Sequence, residues 1–211
     1  MKKVRIIMAM LVLLGAAPLA EAQIMVSSTT ASTQRIYEKS GREKGWVIRP
    51  ELTMGYTFHY GFSSIINATF AYQFNPYYTI GAGAGVNIFP RSNLVAIPVF
   101  LDFRAYFRDR KWSPFVDLKV GFQLPINEHQ RRDYWYNGYD LYTNRISGFL
   151  LQSTFGMQYK NFDFGISFDL YSSYDSMVTY EYDNYDDPFV QYAGNSLKPA
   201  LRLNFAYNLP L

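Results

Sequence analysis

Trp46-Val47-Ile48-Arg49-Pro50-Glu51-Leu52-Thr53-Met54-Gly55-Tyr56-Thr57-Phe58-His59-Tyr60 decides how the chain is read. Every even position is apolar or aromatic, and the odd positions are mostly polar or small. Side chains that alternate in this way leave an extended backbone on opposite faces, giving a strand with one greasy and one wet side. The run is longer than the usual strand of about 5–6 residues. Its length, alternation and aromatic ends fit a strand that crosses an outer membrane, where about 9–11 residues span the hydrocarbon.

Upstream, Lys2, Lys3 and Arg5 precede an apolar run from Ile6 to Leu14, and Ala20-Glu21-Ala22 supplies an A-x-A site. This pattern predicts a secretory signal peptide over 1–22, cleaved before Gln23 and exported through the Sec route. The run falls short of the roughly 20 residues of a spanning helix. Residues 23–45 are polar and aperiodic, and predict a flexible leader. The 211 residues contain no cysteine, which excludes disulfides and thiolate metal sites. Beyond the leader the charge is close to neutral, which removes the electrostatic case for a nucleic-acid partner. Aromatic residues make up 18%, led by 19 Tyr and 17 Phe, far more than an ordinary core needs. Mean hydropathy of −0.13 does not argue against a membrane, because only alternate residues of a barrel strand face lipid.

The alternation recurs about eight times between residues 46 and 211. Runs at 65–74, 77–89, 95–107, 116–124, 149–159, 162–170 and 197–209 follow the first, and place Asp, Lys, Arg, Gln, Thr and Gly on the face opposite the apolar one. Connections after runs two, four and six are short, whereas residues 125–145 and 172–194 predict two long polar loops. Outer-membrane barrels keep short turns on the periplasmic side and long loops outside, so an even strand number puts both termini in the periplasm. Rings fall near both ends of the runs, as two headgroup-level girdles require. A soluble barrel with its apolar face turned inward is the alternative. The expectation is an all-β, eight-stranded antiparallel transmembrane β-barrel over 46–211.

Ser113-Pro114-Phe115-Val116-Asp117-Leu118-Lys119-Val120-Gly121, the glycine-rich Gly81-Ala82-Gly83-Ala84-Gly85 and the closing Leu201-Arg202-Leu203-Asn204-Phe205-Ala206-Tyr207 carry a resemblance. They are similar to strands of the small outer-membrane barrels of the OmpX and OmpA-transmembrane-domain type. The resemblance implies the outer membrane of a Gram-negative bacterium, with lipid and lipopolysaccharide around the barrel and the barrel-insertion machinery as a partner. Such barrels typically end on an aromatic residue. This chain ends Asn208-Leu209-Pro210-Leu211, which leaves Tyr207 or Leu209 to serve instead.

Parity sends Arg49, Glu51, Asp102, Arg104, Asp117, Lys119, Asp163, Asp169, Lys198 and Arg202 into the lumen. An eight-stranded barrel is just wide enough for side chains to fill it, and buried charges of both signs must pair. The expectation is a structural polar network that plugs the lumen; a narrow ion-conducting path is the alternative. For chemistry, the two histidines are His59 and His129, with Ser63 and Ser64 close to the first. No motif of a lipid A deacylase or palmitoyltransferase accompanies them, so no catalytic, cofactor or metal site is expected, and a lipid A-modifying enzyme remains the runner-up. Tyr134, Trp135, Tyr136 and Tyr139 in the first loop, with Tyr180, Tyr182 and Tyr185 in the second, are candidates for binding an extracellular protein, glycan or lipopolysaccharide. Stiff rings give contact area at low entropic cost. The competing expectation is a β-ribbon that merely extends the barrel.

Overall fold

The computed structural model describes residues 39–135, 138–181 and 189–211, with side chains left out at 135 and from 181 to 190. The strands are β1 (Gly45–Thr57), β2 (Gly61–Asn75), β3 (Tyr78–Phe89), β4 (Leu94–Tyr106), β5 (Trp112–Pro125), β6 (His129–Trp135), β7 (Gly138–Tyr159), β8 (Phe162–Glu181), β9 (Phe189–Tyr207) and the two-residue β10 (Leu209–Pro210). Eight of them, β1 to β5 and β7 to β9, pair antiparallel in one ring, which closes where Glu51–Thr57 of β1 meets Ala200–Ala206 of β9. Closure leaves no open edge within the barrel. The expected fold is therefore the observed one: a closed eight-stranded antiparallel barrel filled by side chains.

Alternation decides which face is inside. Along β1, Val47, Arg49, Glu51, Thr53 and Thr57 are buried, while Trp46, Ile48, Leu52 and Tyr56 are exposed. The same inversion holds around the ring: Leu101 is 68% exposed beside Asp102 at 1%, and Phe122 is 65% exposed beside Gln123 at 1%. An exterior of Leu, Ile and Phe around an interior of paired charges is opposite to a water-soluble barrel. Glycines on the inward face make room for large neighbours. A Cβ on Gly83 would stand 2.7 Å from the Phe100 ring, and one on Gly156 would stand 2.7 Å from Phe115.

The two expected long loops are mostly strand. β5 runs to Pro125, and His129–Trp135 pairs with Gly138–Asn144 of β7. β7 continues against β8 as far as Gly138↔Glu181, and β9 pairs with β8 from Phe189 onward. These four strands extend beyond the ring as a ribbon, the second of the two expectations. The period-two signal fades there because neither face of the ribbon needs to be apolar, as in Ser172-Ser173-Tyr174-Asp175-Ser176.

Only the last part of the expected leader lies among the described residues. Residues 39–44 fold back over the barrel end at which β1 begins and β9 ends. Ser40 hydrogen-bonds Asp109, and Arg42 Nε donates to the carbonyl of Pro76 at 2.8 Å. The predicted signal peptide and residues 23–38 lie outside the described residues.

Candidate functional site

The lumen is layered. At the terminal end, Arg42 lies 4.2 Å over the Tyr106 ring and donates to Gln158 Oε1 and to the Arg108 carbonyl. Next comes a fully buried charged layer. Arg49 pairs with Asp102 at 2.8 Å and donates through Nε to Asn208 Oδ1 at 2.9 Å. Arg104 bonds Asp117 at 2.8 Å, engages Asp163, and lies 3.7 Å from Glu51. Lys119 reaches Glu51 at 3.0 Å, Asp117 at 2.5 Å and Asp102 at 3.6 Å. Cross-strand register builds this layer, since Asp102 faces Lys119 and Arg104 faces Asp117 across β4 and β5. Further along, Arg202 pairs with Asp169 and donates to Ser63 Oγ at 3.1 Å.

Toward the ribbon the lumen changes character. Tyr60, Phe89, Leu94, Ala96, Ile146, Leu150, Tyr171 and Ala200 form one apolar cluster across the barrel. Phe89, Leu94, Ala96, Leu150, Tyr171 and Ala200 share the parity of the inward residues of their strands, but parity alone does not gather them into a layer. Phe89 sits at the last position of β3, and Tyr60, grouped by the sequence with the outward rings, is 5% exposed. Its reversal follows from β1 ending at Thr57: residues 58–60 are a turn, and Thr57 Oγ1 accepts from the Tyr60 amide at 3.0 Å.

Nine of the ten predicted lumen charges meet in the buried pairs. Lys198 does not. It lies partly exposed at the ribbon-side mouth and pairs with Asp175 at 3.0 Å. Asp175, absent from the sequence expectations, also accepts from Ser196 at 2.9 Å and Tyr60 at 3.2 Å. Partial burial raises the Asp175 carboxyl, but the Lys198 and Ser196 bonds outweigh it and hold the group below its ordinary range. Burial, reinforced by the Lys198 charge, lowers His59.

Of the seven aromatic candidates, three can be placed together. Tyr139 of β7 stacks on Tyr180 of β8 at 4.9 Å, Tyr134 of β6 packs tilted against Tyr139 at 5.6 Å, and Arg132 lies over Tyr139 at 5.6 Å. Tyr134 is largely exposed. Tyr136, Tyr182 and Tyr185 fall outside the described residues, as does the side chain of Trp135. For the Ser/His idea, Ser63 faces the lumen against Arg202, whereas His59 packs edge-on to Tyr60.

No family model matches the chain, and no curated protein matches it. Among solved structures, the N-terminal β-barrel domain of Pseudomonas aeruginosa OprF is similar at 12% identity and a TM-score of 0.42, over 79% of this chain and 100% of that one. A de novo designed transmembrane β-barrel follows at 12% identity and 0.37, over 79% and 98%. At these scores the barrel assignment rests on the strand pairing of the chain itself.

Proposed function

We propose that the chain is a non-enzymatic outer-membrane barrel of a Gram-negative bacterium that carries a four-stranded ribbon on the cell surface. One observation carries the reading. An apolar, ring-bordered exterior encloses fully buried charges, an arrangement suited to lipid outside and pairing inside. Trp46, Tyr72, Tyr78, Trp112, Tyr159 and Tyr207 lie at the terminal end of their strands, where a headgroup-level girdle belongs. In this orientation both termini and the short turns are periplasmic. Lipid and lipopolysaccharide surround the barrel, and the insertion machinery receives the final strand. Tyr207 packs on Phe162 at 4.7 Å, while Leu209 and Pro210 pair with Ile48 and Val47, so the last residues complete the seam beside β1. The resemblance to the OmpX type belongs to this proposal.

The structural role is favoured over lipid A chemistry because the Ser63 hydroxyl is taken by Arg202, not by His59. It is favoured over conduction because two unlike layers cross the lumen. The absence of cysteine makes topology directly testable. Cysteine placed by Arg132→Cys should react with a membrane-impermeant maleimide on intact cells, and cysteine at Lys160 only after the outer membrane is opened. The reverse pattern inverts the topology; recovery of the protein in the soluble fraction ends the membrane reading.

A further inference from the structure

The face of the ribbon that continues the lumen wall forms a cup above the apolar layer. Its cavity of about 230 Å³ is lined by His59, His129, Arg131, Tyr142, Asn144 and Tyr192. The two histidines stand 70 positions apart in sequence, and they are the whole histidine content of the chain. Register brings the rest together: His129 faces Asn144 and Arg131 faces Tyr142 across β6 and β7, and Tyr142 faces Met177, which in turn faces Tyr192.

Imidazole, guanidinium, amide and phenol groups can all donate hydrogen bonds, and among the described residues no carboxylate lines the cavity. Among the described residues, the carboxylates beside it each have a partner. Asp175 is held by Lys198, Asp140 accepts from Thr179 at 2.7 Å, and Asp133 holds Arg131 from an exposed position. Arg131 also lies 5.2 Å over the Tyr142 ring, which sets a flat apolar wall beside a cation. Such a wall suits the apolar side of a sugar ring, and the donors suit its acidic substituent. Arg131 in the lining disfavours a metal ion between the imidazoles.

We propose that this cup binds a small anionic, hydroxyl-rich group of the phosphorylated- or carboxylated-sugar class. The proposal gives a ligand class to the surface role above and builds on that reading, but binding by the purified barrel does not depend on which way it faces the membrane. A failed topology experiment and a failed binding experiment are therefore distinguishable.

The test is calorimetric titration of the full chain, folded in detergent micelles, with glucose 1-phosphate, glucuronate and uncharged glucose. Saturable binding of the two anions, at least tenfold tighter than glucose, is expected. Arg131→Ala should weaken it at least tenfold, whereas Arg132→Ala, one residue along on the opposite ribbon face, should change it less than twofold. That control removes the same charge, so equal losses would reduce the effect to general electrostatics and overturn the proposal. Asp133→Asn should tighten binding, since the anion no longer competes for Arg131. The His59 imidazole sees Lys198 from β9 and Asp175 from β8, with His129 and Arg131 of β6 across the cavity. A bound anion favours its protonated form, so affinity should rise between pH 8 and pH 6 and this rise should shrink in His59→Ala. No saturable anion binding, or equal binding of glucose, overturns the assignment. Competition by lipopolysaccharide, but not by its dephosphorylated form, would place the sugar phosphate on a lipid; lack of competition would assign a soluble source.

Discussion

The two halves of the lumen close the same barrel by opposite means. Near the termini, Arg49, Arg104 and Lys119 interlock with Glu51, Asp102, Asp117 and Asp163, all fully buried. Near the ribbon, Phe89, Tyr171, Ile146 and Leu150 fill the lumen with apolar side chains. Charge closes a pore only as a complete set, because each group depends on a partner to offset its desolvation. Packing closes it incrementally, each methylene contributing its own share. The first half should fail abruptly when one member is lost, and the second by degrees.

The largest effect should come from Arg104→Ala, which leaves Asp117 and Asp163 without their shared cation. A loss of about 3–5 kcal/mol is expected, read as the urea midpoint of protein refolded into bilayers. Replacing Arg49 by Met together with Asp102 by Leu should cost less than either single change. A double variant as damaged as the sum of the two would break the distinction. Leu101→Arg, outside the same charged layer, should cost about 2–4 kcal/mol in lipid. Tolerance there would put water, not lipid, against the exterior. In the apolar half, Ile146→Val should cost only about 0.5–1.5 kcal/mol. Planar-bilayer recordings of the native chain should show no steady conductance, because either half alone is sufficient to close the lumen.

Smallest of all is the mouth pair. Asp175 and Lys198 are partly exposed, and Asp175→Asn should cost less than about 1 kcal/mol at pH 7. The Asp175 carboxyl lies below its ordinary value, so its contribution is fully present above the unfolded pKa of about 3.9 and fades as pH falls through the lower folded value. Stability curves of the variant and the native chain should therefore converge in strong acid.

Strand number, facing and the membership of the charged layer were legible because a period of two sorts residues onto faces wherever one face must be apolar. Asp102 and Arg104 against Lys119 and Asp117 needed nothing more. What alternation cannot supply is height along the barrel and reach across it. Lys198 shares the parity of Arg202 but sits at the mouth, and Tyr60 turns inward because its strand has already ended. The ribbon was hidden for a related reason: above the apolar belt, backbone pairing persists while the hydrophobic pattern that announces it does not. Asp175 and His129 therefore looked like loop residues. Arg42 was lost inside a polar stretch whose other residues carry no pattern at all.

That arginine has a further consequence. Its acceptors are the Pro76 carbonyl between β2 and β3, the Arg108 carbonyl between β4 and β5, and Gln158 near the end of β7. On a flat sheet, acceptors spread over so many strands would be far beyond the span of one guanidinium, since neighbouring strands lie about 4.7–4.9 Å apart. Only a curled sheet gathers them. Arg42 is thus a gauge of roundness carried by the chain itself: it can seat only after the wall has bent, and once seated it ties two turns of the rim and the end of β7 together.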